Sequence, residues 1–417
     1  MFLYSIHTAE DRENIKIMKH EVILHWRHFF CPKANLRLDI TLKCGQSFRW
    51  KLFKPQSFSC KTPVYIGVLR HRLLLLSQDD SNIFYHCANN PDEEGIEEDL
   101  SDYFQLKVDL PSLYSEWAKN DQIFERISQD YPGVRMLRQD PLENVFSFIC
   151  SANNNIARIS GMVEKMCVEY GQFVGEFEEV KYFMFPQLEQ LSKPEVESRL
   201  RELGFGYRAK YIQQSAAFIL EKGGIPWLLS HRSMDYSEAR LSLLQLAGVG
   251  PKVADCVLLM SMDQAGAVPV DTHMFNIAKQ YLPHLSQVKT VTDRVYLEIG
   301  NHFRSLYGDY AGWAHSVLFS ADLKHLKDNK TVKVEKEQKA DQIKLEKKQK
   351  TDQIKLETAP VLQEKWILSN TSISAGKNDF EQEKKDMKDY FKTVKPRSQK
   401  RKGCSPVPEI PVKLEKF

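Results

Sequence analysis

The sequence lacks the features of a membrane or metal-binding protein. It has no run of eighteen consecutive apolar residues, so it predicts no membrane span and no membrane partner. Its start, MFLYSIHTAEDRENIK, has early acidic residues and no apolar core, which argues against a secretory signal. None of its eight cysteines belongs to a CxxC pair. We therefore expect no cofactor, no zinc or iron–sulfur site, and reduced thiols typical of the nucleus or cytosol.

Positive charge is also scarce in most of the chain. Residues 324–417 contain 24 Lys and Arg against 15 Asp and Glu, a net charge of +9, whereas the whole chain carries only +3. Residues 1–323 therefore have a net charge of −6. A nucleic-acid-binding domain is usually basic. Any such binding by residues 1–323 must use a local patch and backbone amides.

Two patterns divide the first 326 residues. Strand-like runs between about residues 34 and 115, separated by polar turns, predict an antiparallel sheet; the runs are LRLDITL, SFRWKLF, VYIGVL, HRLLLL and NIFYHC. From about Pro111 onwards, apolar residues recur at three- and four-residue spacing, and several such segments end in glycine. This spacing predicts helices as far as about Leu326.

Beyond Leu326, charged residues dominate and the sequence DQIKLE occurs twice, eleven residues apart. Such a segment cannot bury enough apolar surface to offset the entropy lost on ordering. We therefore predict an α+β fold in four parts: an N-terminal extension (1–29), an antiparallel sheet domain (30–115), a helical domain (116–326) and a disordered, charged tail (327–417).

The most informative stretch is LAGVGPKVADCVLLMSMDQAGAVPVDTHMFNIAKQY, residues 246–281, which predicts helix, glycine turn, helix, loop and helix. Gly248 and Gly250 allow positive φ in the turn, and Pro251 suits the first position of the next helix. Exposed N–H groups at a helix N-terminus bind anions, which suits a DNA phosphate without a basic surface. A GxGxK turn alone also occurs in many loops that do not bind DNA.

Lys252 and Asp271 are the candidate catalytic residues of this stretch. A neutral lysine amine is a nucleophile that can form a Schiff base with the C1′ atom of a sugar. A carboxylate placed before the next helical run can stabilise a developing oxocarbenium charge. Taken singly, Lys252 is more often a surface lysine and Asp271 a helix N-cap. Their conjunction with the glycine turn favours the catalytic interpretation.

Four further motifs occur in order: CGQSFRW (44–50), FICSANNNIARISGMVE (148–164), LGFGYRAKYI (203–212) and YAGWAHSVLFSADL (310–323). Together with residues 246–281, they resemble the helix-hairpin-helix DNA glycosylase superfamily, and within it the eukaryotic 8-oxoguanine DNA glycosylase/lyase family. The resemblance covers about residues 30–325. It implies that the helical domain is a helix-hairpin-helix glycosylase domain acting on damaged double-stranded DNA, and we expect a monomer.

The resemblance implies a bifunctional enzyme of base-excision repair. It implies that the target base leaves the stack, that Lys252 attacks C1′ of the flipped nucleotide, and that Asp271 supports base loss. The resulting imine permits β-elimination, which cuts the strand. The implied substrate is 8-oxoguanine, or a related oxidised purine such as the formamidopyrimidine form of guanine, opposite cytosine.

Five residues match the family's base-binding positions: Gly45, Cys256, Pro269, His315 and Phe319. In the family, the carbonyl of the glycine meets the N7–H that only the oxidised guanine carries. Phe319 matches the aromatic side chain that stacks on the flipped base, and Cys256 the thiol on its opposite face. Outside the resemblance, Gly45 is interpretable as a bulge glycine and the other two as core residues.

Further positions match the family's DNA contacts. Asn153, Arg158, Tyr207 and Arg208 match residues that fill the vacated stack and contact the orphaned cytosine. His273 matches a phosphate contact that Asp322 would hold. Without the resemblance, these are helix-surface polar groups, a packed tyrosine and a structural histidine. The remaining DNA-contact candidates belong to the glycine turn and the helix start after it: Gly248, Gly250 and Val253.

His315 departs from the family, which usually has glutamine in this GWAQ-like segment. A carboxamide offers a donor and an acceptor together to the Watson–Crick edge of the base. A neutral imidazole offers one of each on opposite sides of its ring. His315 could contact the base through one bond or act as a pH-dependent donor. Because of this departure, the preferred base stays open, and the substrate could be a different oxidised purine.

The tail carries two candidate signals. KPRSQKRK (395–402) resembles a nuclear localisation signal, or equally a DNA-tethering patch. KKDMKDYF (384–391) has the spacing of sliding-clamp binding peptides, with Lys384 in place of the usual glutamine. We also keep a different class of function open, a lesion-binding protein without catalysis. The pair Lys252 and Asp271 argues against it, because binding alone needs neither residue.

Overall fold

A computed structural model describes residues 24–55 and 62–323. The predicted disordered tail, its localisation and clamp-binding segments, and most of the predicted N-terminal extension lie outside these residues. No helix in the described part of the chain is long and apolar enough to cross a membrane.

An antiparallel five-stranded sheet forms the N-terminal region, in the order β1-β5-β4-β3-β2. The strands are β1 (Arg27–Phe30), β2 (Lys51–Phe53), β3 (Val64–Leu69), β4 (Arg72–Gln78) and β5 (Asn82–Cys87). Every residue of β4 is buried, because both faces of the sheet are covered. Leu74 and Leu76 pack with Leu100, whereas Leu73 and Leu75 pack with Phe177.

The helical region surrounds the larger core. Its helices are α1 (Leu38–Thr41), α2 (Ile96–Tyr103), α3 (Leu110–Asn120), α4 (Gln122–Asp130), α5 (Pro141–Ile149), α6 (Ile156–Tyr170), α7 (Leu188–Leu191), α8 (Glu195–Glu202), α9 (Arg208–Glu221), α10 (Ile225–Ser230), α11 (Tyr236–Leu243), α12 (Pro251–Ser261), α13 (Thr272–Tyr281), α14 (Asp293–Tyr307) and α15 (311–323). Pro283–Gln287 and Gly308–Tyr310 are 3-10 helices. Residues Val253–Ser261 of α12 are all buried, so this helix forms the centre of the core.

The α+β architecture and the order of sheet and helices are confirmed, and the sheet begins at Arg27, just inside the predicted N-terminal extension. Three local predictions are wrong. A hairpin of β6 (Phe173–Phe177) and β7 (Val180–Phe183) interrupts the predicted helical region and covers one face of the sheet. The helical region begins at Ile96 rather than near Pro111.

The third wrong prediction is LRLDITL, which contains the helix α1 instead of a strand. Its alternating leucines are buried as a strand's would be: Leu36, Leu38 and Leu42 are each at most 2% exposed. The side chain of Gln78, however, accepts a bond from the Leu38 N–H (3.0 Å) and donates to the Leu36 carbonyl (2.6 Å). A side chain from β4 therefore satisfies backbone groups that a neighbouring strand would otherwise bind.

Candidate active site

The predicted helix-turn-helix is present as α11, a glycine turn and α12. Gly248 has φ +79°, and a Cβ atom there would lie 2.6 Å from the ring of Tyr211, so only glycine fits. Gly250 differs from the prediction, since its φ of −94° and ψ of −178° are extended backbone. Pro251 opens α12 as expected. The hydroxyl of Ser215 on α9 donates to the Ala247 carbonyl (2.9 Å), which ties the turn to its neighbour.

Lys252 occupies the first turn of α12, where it is half-buried. Its Nζ atom lies 4.9 Å from the centroid of the Phe148 ring on α5. Cys256 lies one turn further along α12. Burial raises the pKa of its thiol to about 11, and the charge of Lys252 opposes this rise, so the amine and the thiol are neighbours. The site therefore holds the lysine between an aromatic face and a thiol, at the positive end of a helix.

Asp271 caps α13 and lines the same cavity as Lys252. Its Oδ1 atom accepts from the N–H groups of His273 and Met274, both at 2.9 Å. Because both bonds use Oδ1, the cap leaves Oδ2 unoccupied. The N-cap interpretation and the active-site interpretation of this carboxylate are therefore compatible. The cap fixes the position of the carboxylate relative to α13.

One cavity of about 50 Å³ brings together both candidate catalytic residues and all five predicted base-binding residues. The complete lining is Cys44, Gly45, Gln46, Phe148, Lys252, Cys256, Met260, Pro269, Asp271, His315, Ser316 and Phe319. Ligand pockets usually measure about 300–1,000 Å³. The cavity therefore has to widen before it can admit a purine.

Gly45 lies in the loop between α1 and β2, so it is not a bulge glycine of a strand. Its φ is +85°, and a Cβ atom there would lie 3.2 Å from Ile156 Cδ1. The neighbouring Gln46 holds the loop in place: its Nε2 donates to the Arg135 carbonyl and its Oε1 accepts from the Leu137 N–H, both at 2.9 Å. Within the described residues, no backbone N–H donates to the Gly45 carbonyl.

His315 is 5% exposed, and neither of its ring nitrogens has a well-aligned hydrogen-bond partner among the described residues, although the backbone carbonyls of Gly312 and Pro269 lie close enough to favour its protonation. Burial lowers the pKa of His315 to about 4, against the opposing effects of the Asp271 charge and of these carbonyls. The imidazole is therefore neutral near pH 7, which argues against its use as a protonated donor at that pH. A buried ring whose nitrogens are poorly satisfied can offer both a donor and an acceptor to a ligand.

Phe319 is half-buried on α15 between two histidines. Its ring stacks on His315, with centroids 5.9 Å apart and an interplanar angle of 25°, and meets His273 edge-on at 5.7 Å. The Nδ1 atom of His273 lies 2.8 Å from Asp322 Oδ2, as predicted. This bond orients the ring of His273 and leaves its Nε2 atom available for a phosphate.

The residues predicted to contact the orphaned cytosine form a separate group around residues 151–155. Asn153 and Arg158 are exposed, and Tyr207 is 47% exposed. Asn153 has φ +47°, the left-handed conformation that asparagine tolerates better than most residues. The hydroxyl of Tyr207 donates to the Ala152 carbonyl (3.2 Å). The loop thus presents polar and aromatic groups at the surface.

Arg208 differs from the other members of this group because it is only 3% exposed. Its guanidinium donates to the carbonyls of Ala152 and Asn153 and lies 4.6 Å from the Tyr207 ring centroid. Arg208 is therefore not the helix-surface group of the alternative interpretation, because it supports the loop from the protein interior. Its contact with the orphaned cytosine stays a prediction. Val253 is also buried, at 6% exposure, so a contact with phosphate would come from its backbone N–H at the helix start.

Sequence reasoning missed Phe148, Gln46 and Met260 as cavity residues. Phe148 is 2% exposed and lies in an apolar run of α5, so only the three-dimensional contact with Lys252 distinguishes it from a core residue. Gln46 had a weak signal, since a glutamine within the CGQSFRW motif is an unusual side chain to bury. In residues 24–55 and 62–323, no three His, Cys, Asp or Glu side chains form a group that could hold a metal ion.

Two family models match this chain. The N-terminal domain of 8-oxoguanine DNA glycosylase matches residues 28–145, and the HhH-GPD superfamily of base excision DNA repair proteins matches residues 146–296. The N-glycosylase/DNA lyase OGG1 of Arabidopsis thaliana is 40% identical over 301 residues, 72% of this chain and 80% of that relative. The chain belongs to the 8-oxoguanine DNA glycosylase/lyase family. It is accordingly an enzyme, a DNA N-glycosylase and DNA lyase.

Other relatives agree with this assignment. The N-glycosylase/DNA lyase of Saccharomyces cerevisiae is 34% identical over 341 residues, 75% of this chain and 90% of that relative. The solved structure of the Clostridium acetobutylicum 8-oxoguanine glycosylase/lyase with double-stranded DNA is 27% identical, with a TM-score of 0.60, over 70% of this chain and 93% of that one. The enzyme therefore shares its fold with a glycosylase/lyase solved on DNA, and the alternative of a non-catalytic lesion-binding protein is not supported.

Proposed function

We propose that this enzyme excises 8-oxoguanine, and related oxidised purines such as the formamidopyrimidine form of guanine, from opposite cytosine in double-stranded DNA. The observation that carries the proposal is the single cavity lined by Lys252, Asp271, Gly45, His315 and Phe319. The Clostridium relative named above was solved on DNA containing cytosine opposite 8-oxoguanine, which supports this substrate class.

The proposed chemistry begins when the damaged nucleotide leaves the helical stack, since its glycosidic bond is otherwise out of reach. The Lys252 amine attacks C1′, the C1′–N9 bond breaks, and the base takes the bonding electron pair and then a proton. Asp271 stabilises the positive charge that develops on the sugar. The C1′ amine loses a proton and the ring opens to an imine. Removal of a C2′ proton then expels the 3′ phosphate by β-elimination.

Selection of the base rests in part on the Gly45 carbonyl. 8-Oxoguanine carries a hydrogen on N7, which a carbonyl can accept, whereas guanine presents an N7 lone pair. If guanine occupied the cavity, its N7 lone pair would face the carbonyl oxygen, and neither of these two buried acceptors would have a donor. Each unpaired acceptor costs about 1–3 kcal/mol of binding free energy. Among residues 24–55 and 62–323, no backbone N–H donates to the carbonyl of Gly45, which supports its use for this purpose.

Binding of the DNA strand would use local groups rather than a basic surface. The turn around Gly248 and Gly250 and the first turn of α12 supply backbone N–H groups that no helix carbonyl accepts. His273, oriented by Asp322, would donate to a neighbouring phosphate. These contacts account for DNA binding by a part of the chain whose net charge is −6.

A second candidate substrate is a different ring-oxidised purine. The observation that favours it is the buried, neutral imidazole of His315 in the base cavity, where the family usually has a carboxamide. Neither ring nitrogen has a well-aligned hydrogen-bond partner among the described residues. A single-turnover assay tests both candidates on duplexes that carry 8-oxoguanine, formamidopyrimidine-guanine, other oxidised purines or undamaged guanine, opposite each of the four bases. We expect fastest release from 8-oxoguanine opposite cytosine. Faster release of another purine would replace the proposed substrate.

We also propose a nuclear location, from KPRSQKRK (395–402), and binding of a sliding clamp by residues 384–391. Both segments lie outside the described residues, so these proposals rest on the sequence alone. A fluorescent fusion that enters the nucleus equally well without residues 395–402 would contradict the first. A peptide of residues 380–402 with no affinity for a sliding clamp would contradict the second.

A further inference from the structure

A buried carboxylate lies on α12 one turn after Lys252. Asp255 is 0% exposed, yet it lines no part of the base cavity. The hydroxyl of Tyr236 on α11 donates to its Oδ1 atom (2.9 Å), and that of Tyr296 on α14 donates to its Oδ2 atom. Arg240 Nε lies 3.3 Å from Oδ1 and provides an ion pair. The carboxylate therefore ties α12 to two neighbouring helices.

The hydroxyl of Tyr296 makes a second bond that the hydroxyl of Tyr236 does not. Its oxygen accepts from the backbone N–H of Val270 at 3.3 Å. Val270 directly precedes Asp271 in the chain. Two hydrogen bonds through one hydroxyl thus connect the helix that carries Lys252 with the segment that carries Asp271.

This connection has little freedom to move. Tyr296 is 6% exposed, and the guanidinium of Arg240 lies 5.4 Å from its ring centroid. A buried carboxylate is stable only where hydrogen bonds and an opposite charge compensate its lost hydration. Asp255 would lose part of that compensation if either helix shifted, so the network resists a change in the spacing of the two catalytic segments.

We propose that Asp255 and Tyr296 are positioning residues that set the distance between the Lys252 amine and the Asp271 carboxylate. The inference rests on the proposed function of those two side chains. Base loss needs both of them at once, whereas cleavage of a strand that already contains an abasic site needs the amine. Misplacement of Asp271 therefore slows base excision more than it slows the lyase step.

The chain offers a matched pair of variants, Tyr296→Phe and Tyr236→Phe. Each removes one hydroxyl that donates to the Asp255 carboxylate, but only Tyr296→Phe also breaks the link to Val270. The full-length protein is measured in single turnover, on a duplex with 8-oxoguanine and on one with a preformed abasic site. Thermal unfolding and the Kd for a duplex with an uncleavable abasic-site analogue are measured in parallel.

We expect Tyr296→Phe to slow base excision by about 10- to 100-fold and the lyase step on abasic DNA by less than about 3-fold. We expect Tyr236→Phe to change the ratio of the two rates by less than about 2-fold, with a similar fall in Tm. An unchanged rate ratio in Tyr296→Phe, or the same change in both variants, would overturn the positioning role.

The wild-type enzyme in this experiment separates the two proposals. If it leaves 8-oxoguanine in place but excises another oxidised purine, the proposed substrate is wrong. The variants are then compared on that purine, and their rate ratios decide the positioning role as before. If the wild type cleaves abasic DNA but excises no base, Asp271 has no base-loss role to be positioned, and both proposals fail.

Discussion

The cavity around Lys252 and the loop around Asn153 are both predicted to meet the damaged nucleotide pair, yet they are built differently. The cavity is formed by α5, α12, α15 and two loops, and most of its lining is buried. One loop carries Gly45 and is held by Gln46, and the other ends at Asp271, the N-cap of α13. The loop at residues 151–155 is partly exposed, with Asn153 and Asn155 at the surface, and Arg208 donates to the loop's own carbonyls. Under the proposed function, Lys252 and Asp271 are already in place before DNA binds, although the cavity has to widen, whereas Arg208 would exchange these carbonyls for the opposite base.

This difference between the cavity and the loop indicates where selectivity for the base pair can vary. Lys252 and Asp271 stand at the starts of packed helices, so we expect a change there to remove the proposed reaction. Under the same proposal, the loop around Asn153 and the ring of His315 face the substrate. We expect substitutions in these places to alter which base pair is chosen and by how much, and to leave the reaction class intact.

The largest effect among the substitutions is expected for Asp271→Asn. Asparagine remains a good N-cap, so the cap of α13 survives while the negative charge beside the sugar is lost. We expect single-turnover base excision to fall by about 10²- to 10³-fold with a small change in Tm. Asp271→Ala, which also removes the cap, should lower the free energy of unfolding by about 1 kcal/mol more. Full activity in Asp271→Asn would show that the cap is the residue's main role.

Arg158→Ala tests the loop side of the comparison. Arg158 is exposed, and the family resemblance makes it a reader of the orphaned cytosine. We expect the preference for cytosine over the other opposite bases to fall about 10-fold, because a guanidinium contact to a base is worth about 1–3 kcal/mol. The lyase rate on abasic DNA should stay unchanged. Arg294→Ala, which removes another exposed arginine, is the control. An equal loss of the cytosine preference in Arg294→Ala would indicate that the effect comes from the loss of positive charge and not from a specific contact of Arg158.

His315→Gln should raise the single-turnover excision of 8-oxoguanine by about 3- to 10-fold. A carboxamide offers its donor and acceptor together, and one additional neutral hydrogen bond is worth about 0.5–1.5 kcal/mol. The measurement is the excision rate at pH 7 on 8-oxoguanine opposite cytosine. Equal or lower activity would indicate that the imidazole is matched to its substrate, and would favour the alternative oxidised purine.

The same variant should weaken the pH dependence of stability below pH 6.5. The pKa of His315 falls from its ordinary 6.5 to about 4 on burial, so between these values the unfolded chain binds a proton that the folded protein does not. Acidification from pH 6.5 therefore favours unfolding, and the loss is complete near pH 4. Relative to His315→Gln, the wild type should lose on the order of 2 kcal/mol by pH 5. Parallel stability curves for the two proteins in urea would contradict the burial of a neutral ring.

Sequence patterns located the candidate catalytic cavity better than the details around it. Residues in four of the five motifs, from CGQSFRW to YAGWAHSVLFSADL, meet in one cavity, whereas LGFGYRAKYI contributes nothing to its lining. What the patterns missed depends on distant contacts. The side chain of Gln78 binds backbone groups of LRLDITL that would otherwise pair with a strand, and the carbonyls of residues 152 and 153 accept bonds from the buried Arg208. The spacing of apolar residues in the sequence indicates neither contact.

The small size of the cavity and the poorly satisfied ring of His315 could not be predicted from the sequence either. Both depend on how α15, the Gly45 loop and α12 meet around the cavity. The hairpin of β6 and β7 was hidden because its short strands lie between strongly helical segments. Such features require the packed structure, whereas the reaction class required only Lys252, Asp271 and the glycine turn between helices.

Borohydride trapping tests the central claim most directly. Reduction of the imine during the reaction on a duplex with 8-oxoguanine opposite cytosine should link the wild-type enzyme covalently to the strand, and mass spectrometry should locate the link at Lys252. Lys252→Gln should form no cross-link while still binding the duplex, and Lys289→Gln, a change at an exposed lysine, should trap as the wild type does. A cross-link that persists in Lys252→Gln, or one mapped to a different residue, would contradict the account.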